Sequence, residues 1–242
     1  MCVLAEKPFA SLVFERSGRP TGPFTWWLSK FIGVGRFEYT RASRALLPNA
    51  QLKYAWHHLS HAAAAYATSP FDRAAFLCVD GKGEDVSATV GVADSRGVEI
   101  LYELPYENGL GLLYTLVTCH LGFYSFGSEY KVMGLAPYGE PVFADKLRTF
   151  THTDGHGALR LNQPIKFAWP VMGQGIEALA RHLGLPPRKK GDPLTEDHVN
   201  LAASIQVLFE DEIMKMASFA RQVTGEKNLL FCGGCAQNCV VA

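Results

Sequence analysis

Histidines 57 and 61 stand one helical turn apart at the head of an alanine-rich stretch, WHHLSHAAAAYA. If a helix begins at or just before His57, both imidazoles lie on one face of it. Two imidazoles so placed can share a divalent ion. The same spacing occurs in zinc proteases, but those need a glutamate directly after the first histidine. Here that position is His58, which argues against protease chemistry. The plain alternative is a pair of surface histidines on a helix start. His58 is a candidate general base by proximity alone.

Asp80 gives the pair a possible third member. It closes the short apolar run AAFLCVD, which has the look of a buried strand, and Gly81, Lys82 and Gly83 follow it. An acid at the carboxyl end of a strand, opening a glycine-rich segment, is well placed to face a ligand. Glycines allow close backbone approach and free their amides for phosphate. An ordinary Asp-Gly hairpin turn is the competing reading. Two histidines and one carboxylate suit iron or another first-row divalent ion with open positions.

Other segments carry further chemistry. In CGGCAQN, Cys232–Asn238, a strand runs into two glycines and then toward an expected helix, an arrangement that can cradle a nucleotide. Its C-x-x-C pair, Cys232 and Cys235, also raises redox and iron–sulfur chemistry. Cysteines acting as small hydrophobes around a glycine turn are the simpler account. Lys131, in GSEYKVMGLAPYG, can meet an anionic ligand as a point charge or stand in solvent. His152 and His156 share the i, i+4 spacing, but in a polar, glycine-broken stretch that reads as a loop. His120 lies in an apolar helix and reads as a core histidine.

These residues need elements to hold them. Leu52–Trp56 reads as a short strand, and the helix after His61 ends near Ser69-Pro70. Ala74–Asp80, Ser87–Val92 and Val98–Leu104 read as three strands of an antiparallel meander, with GKGED as the first turn. Leu112–Leu121 reads as an apolar helix ended by Gly122, and Glu129–Leu135 as a short one. Asp197–Val223 has the apolar spacing of a long amphipathic helix, stopped at Thr224-Gly225. Leu229–Cys232 is a strand. Residues 1–50 read as irregular connecting structure. Residues 151–193 read as a loop-rich insertion with one helix, Ile176–Leu183. The class is α/β, a mixed sheet flanked by helices.

Composition narrows the function. The 242 residues carry 23 Lys plus Arg and 23 Asp plus Glu, so the formal net charge is zero. That balance favours neither nucleic acid nor a membrane surface as partner. No apolar run has the length of a membrane span. The six cysteines, Cys2, Cys78, Cys119, Cys232, Cys235 and Cys239, sit mostly in apolar segments. They read as buried thiols in a reducing, cytoplasmic setting rather than a disulfide framework.

Taken in order, HHLSHAAAAYATSPF, CVDGKGE, LGLLYTLVTCHLGF, EYKVMGLAPYG and NLLFCGGCAQNC resemble the carbamoyltransferase family of antibiotic and nodulation-factor biosynthesis, the NodU/CmcH type. The resemblance runs from about residue 52 to 242 and is weakest across 151–193. It implies an actin/Hsp70/sugar-kinase-like fold, here incomplete. It implies that carbamoyl phosphate and ATP form carbamoyladenylate, whose carbamoyl group passes to a hydroxyl of a small-molecule or sugar acceptor. By position, His57, His61 and Asp80 are the implied ligands of a divalent metal, typically iron. Gly233, Gly234 and Asn238 are the implied contacts of the nucleotide or carbamoyladenylate, and Gly81, Gly83 and Lys131 are expected at the same ligand from their own chemistry.

The departures from the family pattern set further expectations. An upstream His-Asp strand signature, a further aspartate ligand and the adenylate-forming YrdC-like domain are not in this sequence. It therefore reads as an internal piece of a longer protein, and as a piece it is expected to be inactive. Acceptor specificity is expected to lie in residues 140–195 and in the absent parts. Two alternatives stay open. One is the hydrogenase-maturation or tRNA threonylcarbamoyl branch of the superfamily. The other is a metal- or redox-responsive binding module built on CGGC and the histidines.

Overall fold

The computed structural model describes residues 49, 55–83, 86–106, 109–124, 127–153 and 172–242, with strand backbone also at Cys2–Leu4, Leu52–Tyr54 and Leu159–Leu161. Its centre is a four-stranded mixed sheet. β3 (Arg73–Gly83) pairs antiparallel with β4 (Val86–Asp94), and β4 with β5 (Gly97–Pro105). β8 (Leu229–Cys232) lies parallel to the other edge of β3, giving the order β5-β4-β3-β8. The expected meander is present. β3 runs past the expected turn at GKG, out to Gly83, with its ladder interrupted between Val79 and Gly83.

The two-residue period of β3 decides which layer each side chain meets. Leu77 and Val79 face one core, shared with helices α2 (Leu110–His120) and α6 (Glu196–Thr224). Phe76 and Cys78 face the other, where Ala62 of helix α1 (His57–Ala67) packs. Asp80 continues the second series and so comes out on the α1 side. The core-facing stripe of α6 includes Leu201, Ile205, Leu208, Ile213 and Met216, as its spacing predicts. Thr195 caps α6, its amide donating to the ring of His198, and Gly225 closes the far end with φ of 70°.

Smaller elements fill in. α3 (Glu129–Leu135) lies where expected, and α4 (Ala144–Arg148) follows it. α5 (Met172–Leu183) starts a turn earlier than predicted. β1 (Cys2–Leu4) pairs parallel with β2 (Leu52–Tyr54), so strand structure exists where the sequence suggested only connecting chain. The rest of that N-terminal expectation lies outside the described residues. β6 (Thr151–Thr153) pairs with β7 (Leu159–Leu161), which puts His152 on a strand opposite Arg160 rather than in a loop. His156 lies outside the described residues.

Beyond β8 the expected helix gives way to a 3-10 turn, Gly234–Gln237. Asn238 is extended there, and its side chain accepts the Val240 amide at 3.1 Å, which competes with helical continuation. Among the described residues no helix is long and apolar enough to cross a membrane.

Candidate metal centre

Helix α1 opens at His57 after an extended Trp56, so His57 and His61 do share its face toward the sheet. The Oδ2 atom of Asp80 lies 3.2 Å from Nε2 of each. The two Nε2 atoms are 3.1 Å apart. Three donor atoms thus form a nearly equilateral triangle. Protons alone satisfy it poorly. If both Nε2 atoms carry hydrogen and donate to Asp80, they repel across 3.1 Å; if only one does, the other turns a lone pair toward the carboxylate. One shared cation resolves all three contacts. Adjacent ligands of a first-row ion, each about 2.1 Å from it, stand roughly 3 Å apart. The donor set and its spacing therefore fit a divalent metal. Among the described residues these three also form a group of metal-ligating type.

Asp80 is oriented for this role by backbone. Its Oδ1 accepts the Gly81 amide at 2.8 Å, leaving Oδ2 to the histidines. Gly234 faces the same carboxylate, so closely that a Cβ there would stand 2.7 Å from Oδ1. Burial works to raise the Asp80 pKa. His57, His61 and the amides of Gly81 and Gly234 outweigh it and hold the carboxyl well below the usual range.

Parallel pairing explains how residues about 150 positions apart meet. Cys78 stands opposite Cys232, the last residue of β8, so Val79 and Asp80 of β3 come level with the turn at Gly233 and Gly234. Gly233 carries φ of 91°, and a side chain there would collide with the Val79 backbone. On the far side of Asp80 lies the N-terminal turn of α2. A Cβ on Gly111 would meet the Asp80 carbonyl oxygen at 2.8 Å and the Gly81 Cα at 2.9 Å.

The remaining expected residues separate by environment. His58 is buried, its Nδ1 3.2 Å from the Thr89 hydroxyl, and burial lowers its pKa to about 4. A base that weak takes no proton at neutral pH, so His58 serves as an anchor between α1 and β4. Gly83 is buried against the rings of His57 and His58. Lys131 is exposed on α3, its ammonium 5.5 Å from the Phe123 ring centre and 5.8 Å from that of Tyr130. It makes no ion pair with Asp80 among the described residues. Asn238 is buried, its amide turned toward Gln206 of α6.

Among the described residues the cysteines do not form a rival centre. Cys232 joins the α1-side core, whereas Cys235 packs against the other. A hydrogen bond to Cys232, with burial, pushes the Cys78 thiol pKa far up, and burial does the same at Cys235. These are protonated thiols at neutral pH. His120 is buried as expected. Thr89, Gly111 and Gln206 went unnoticed in the sequence. Only Gln206 left a signal there, an amide among the apolar positions of an amphipathic helix.

Comparison with known proteins supplies the family. The family model "Carbamoyltransferase N-terminus" matches residues 28–242. An uncharacterized protein of Synechocystis, sll1178, is 37% identical over 185 residues, 76% of this chain and 30% of the relative. Nodulation protein NolNO of Sinorhizobium fredii is 34% identical over 79% of this chain and 26% of its own length. Nodulation protein NolO of Bradyrhizobium diazoefficiens is 32% identical over 76% and 32%. The chain thus spans about a third or less of the curated relatives it matches. With the match covering most of its length, this chain belongs to the carbamoyltransferase N-terminus family.

Proposed function

We propose that the intact protein transfers a carbamoyl group from carbamoyladenylate, formed from carbamoyl phosphate and ATP, to a hydroxyl of a small-molecule or sugar acceptor. The observation that carries this reading is the triangle of His57, His61 and Asp80, whose carboxylate is shared with the glycine turn at 233–234. On this reading the three side chains hold a divalent ion, with iron as the expected metal. When bound, such an ion supplies a Lewis acid for phosphoryl or carbonyl oxygen.

The chain's own groups do the rest. Asp80 stays ionised, because its neighbours hold its proton off. His57 and His61 present their Nε2 atoms to the same point. Glycines 81, 233 and 234 keep side chains away, so the adenylate can approach the backbone closely. The N-terminal turn of α2, beside Asp80, favours negative charge there. Lys131 is the cation assigned to the phosphate. In the transfer step the acceptor oxygen bonds to the carbamoyl carbon and the carbon–oxygen bond to AMP breaks. AMP leaves with the electron pair, and the hydroxyl proton passes to solvent. Because AMP is a good leaving group, positioning supplies much of the rate. An actin-like fold for the whole protein is part of the same reading.

The test is a transfer assay on the intact protein with carbamoyl phosphate, ATP, ferrous ion and a panel of polyhydroxyl acceptors. The expected result is AMP release coupled to carbamoylated acceptor, lost in His61→Ala. Carbamoylation that survives in the His57→Ala, His61→Ala and Asp80→Ala variants would remove the site from the reaction.

A further inference from the structure

Gln206 is 4% exposed on the core side of α6, where a leucine would satisfy the packing pattern. An amide there has a cost unless every polar atom finds a partner. Each does. Asn238 Nδ2 donates to Gln206 Oε1 at 2.9 Å, and Gln206 Nε2 donates back to Asn238 Oδ1 at 3.2 Å. The Tyr114 hydroxyl of α2 donates to the same Oε1 at 3.0 Å, and Gln206 Nε2 also donates to Glu210 at 2.8 Å.

This head-to-head amide pair joins three elements: α6, α2 and the turn after β8. Two of them bear directly on Asp80. The first turn of α2 presses Gly111 against the Asp80 carbonyl, and the turn after β8 presses Gly234 against its carboxylate. An apolar contact fixes distance, but a paired amide also fixes direction and register. We infer that Gln206 is a positioning residue for the metal centre: by clasping Asn238 and Tyr114, it sets α2 and the Gly233–Gly234 turn on either side of Asp80, so that one carboxylate oxygen faces the two histidines. The inference rests on reading His57, His61 and Asp80 as a metal centre. It gives Asn238 a task behind the turn, tying that turn to α6.

The test exchanges the two amides in the intact protein. Gln206→Asn shortens one arm and Asn238→Gln lengthens the other, so each single change breaks the pair and the double exchange restores its length. The readout is anaerobic titration with Co2+, followed through its visible ligand-field bands. Each single variant is expected to bind Co2+ about tenfold more weakly with shifted bands. The double variant is expected to recover most of that loss, a coupling that separate packing effects do not produce.

Three results would overturn the inference. Folded single variants that bind Co2+ as the unaltered protein does would do so. So would a double variant as weak as the weaker single. If the single variants do not fold, Tyr114→Phe removes one hydroxyl from the clasp, and unchanged Co2+ bands in it count against the proposal equally. Failure of the underlying reading looks different: the unaltered protein then binds no Co2+, or binds it independently of His57.

Discussion

Gly234 lies against Asp80 so closely that even a methyl group at 234 would stand 2.7 Å from the carboxylate oxygen Oδ1. Gly81, the other glycine beside this carboxylate, has open space where its Cβ would be. The two positions should therefore separate in function. Gly234→Ala forces a short, hydrogen-bonded side chain to shift and should weaken metal binding at least tenfold. Gly81→Ala should stay within about threefold of the unaltered protein. Metal titration of the two variants side by side checks this.

Gly233 makes a different demand. Its φ of 91° and its approach to the Val79 backbone both exclude a side chain. Gly233→Ala should cost about 2 kcal/mol or more of stability, seen as a lower urea midpoint. It disturbs the β3–β8 junction itself, so a loss of metal binding should accompany the loss of stability.

Thr89 anchors His58 from β4 at 3.2 Å. Thr89→Val keeps the shape and removes the hydroxyl, leaving a buried ring nitrogen unpaired. The expected cost is about 1–3 kcal/mol in urea denaturation. A neutral result would mean that the other contacts of α1 seat it without this hydrogen bond.

His120 predicts an acid response remote from the metal site. Burial, with the neighbouring His198, lowers its pKa from 6.5 to about 4, against an opposing effect from the Ile176 backbone. Below pH 6.5 the unfolded chain takes up a proton that the folded chain refuses until about pH 4. Stability present above 6.5 is therefore lost as pH falls through that window, by up to about 3 kcal/mol. His120→Leu should flatten this part of the pH–stability curve. An unchanged slope between pH 6.5 and 5 would show that other groups carry it.

The sequence was most informative where local pattern and chemistry coincide. A helix start at His57 and a buried strand leading into Asp80 were both readable, because an i, i+4 pair and an apolar run are local signals. Their meeting in space was not readable, since it depends on the parallel register of Cys78 with Cys232. The extension of β3 through Gly83 was hidden by glycines that usually mark turns. The helix expected after Gly234 failed because Asn238 spends its side chain on Val240 and Gln206, a tertiary choice that propensity does not record. Thr89 and Gly111 matter only through their neighbours, so nothing in their own segments marked them.

The most direct test of the central claim is anaerobic Co2+ or Fe2+ titration of the intact protein and of His57→Ala, His61→Ala, Asp80→Ala and Cys235→Ala. The unaltered protein should hold one tight site, kept in Cys235→Ala and weakened a hundredfold or more in the other three. Binding that survives loss of either histidine or of Asp80, or that disappears with Cys235, would contradict the claim.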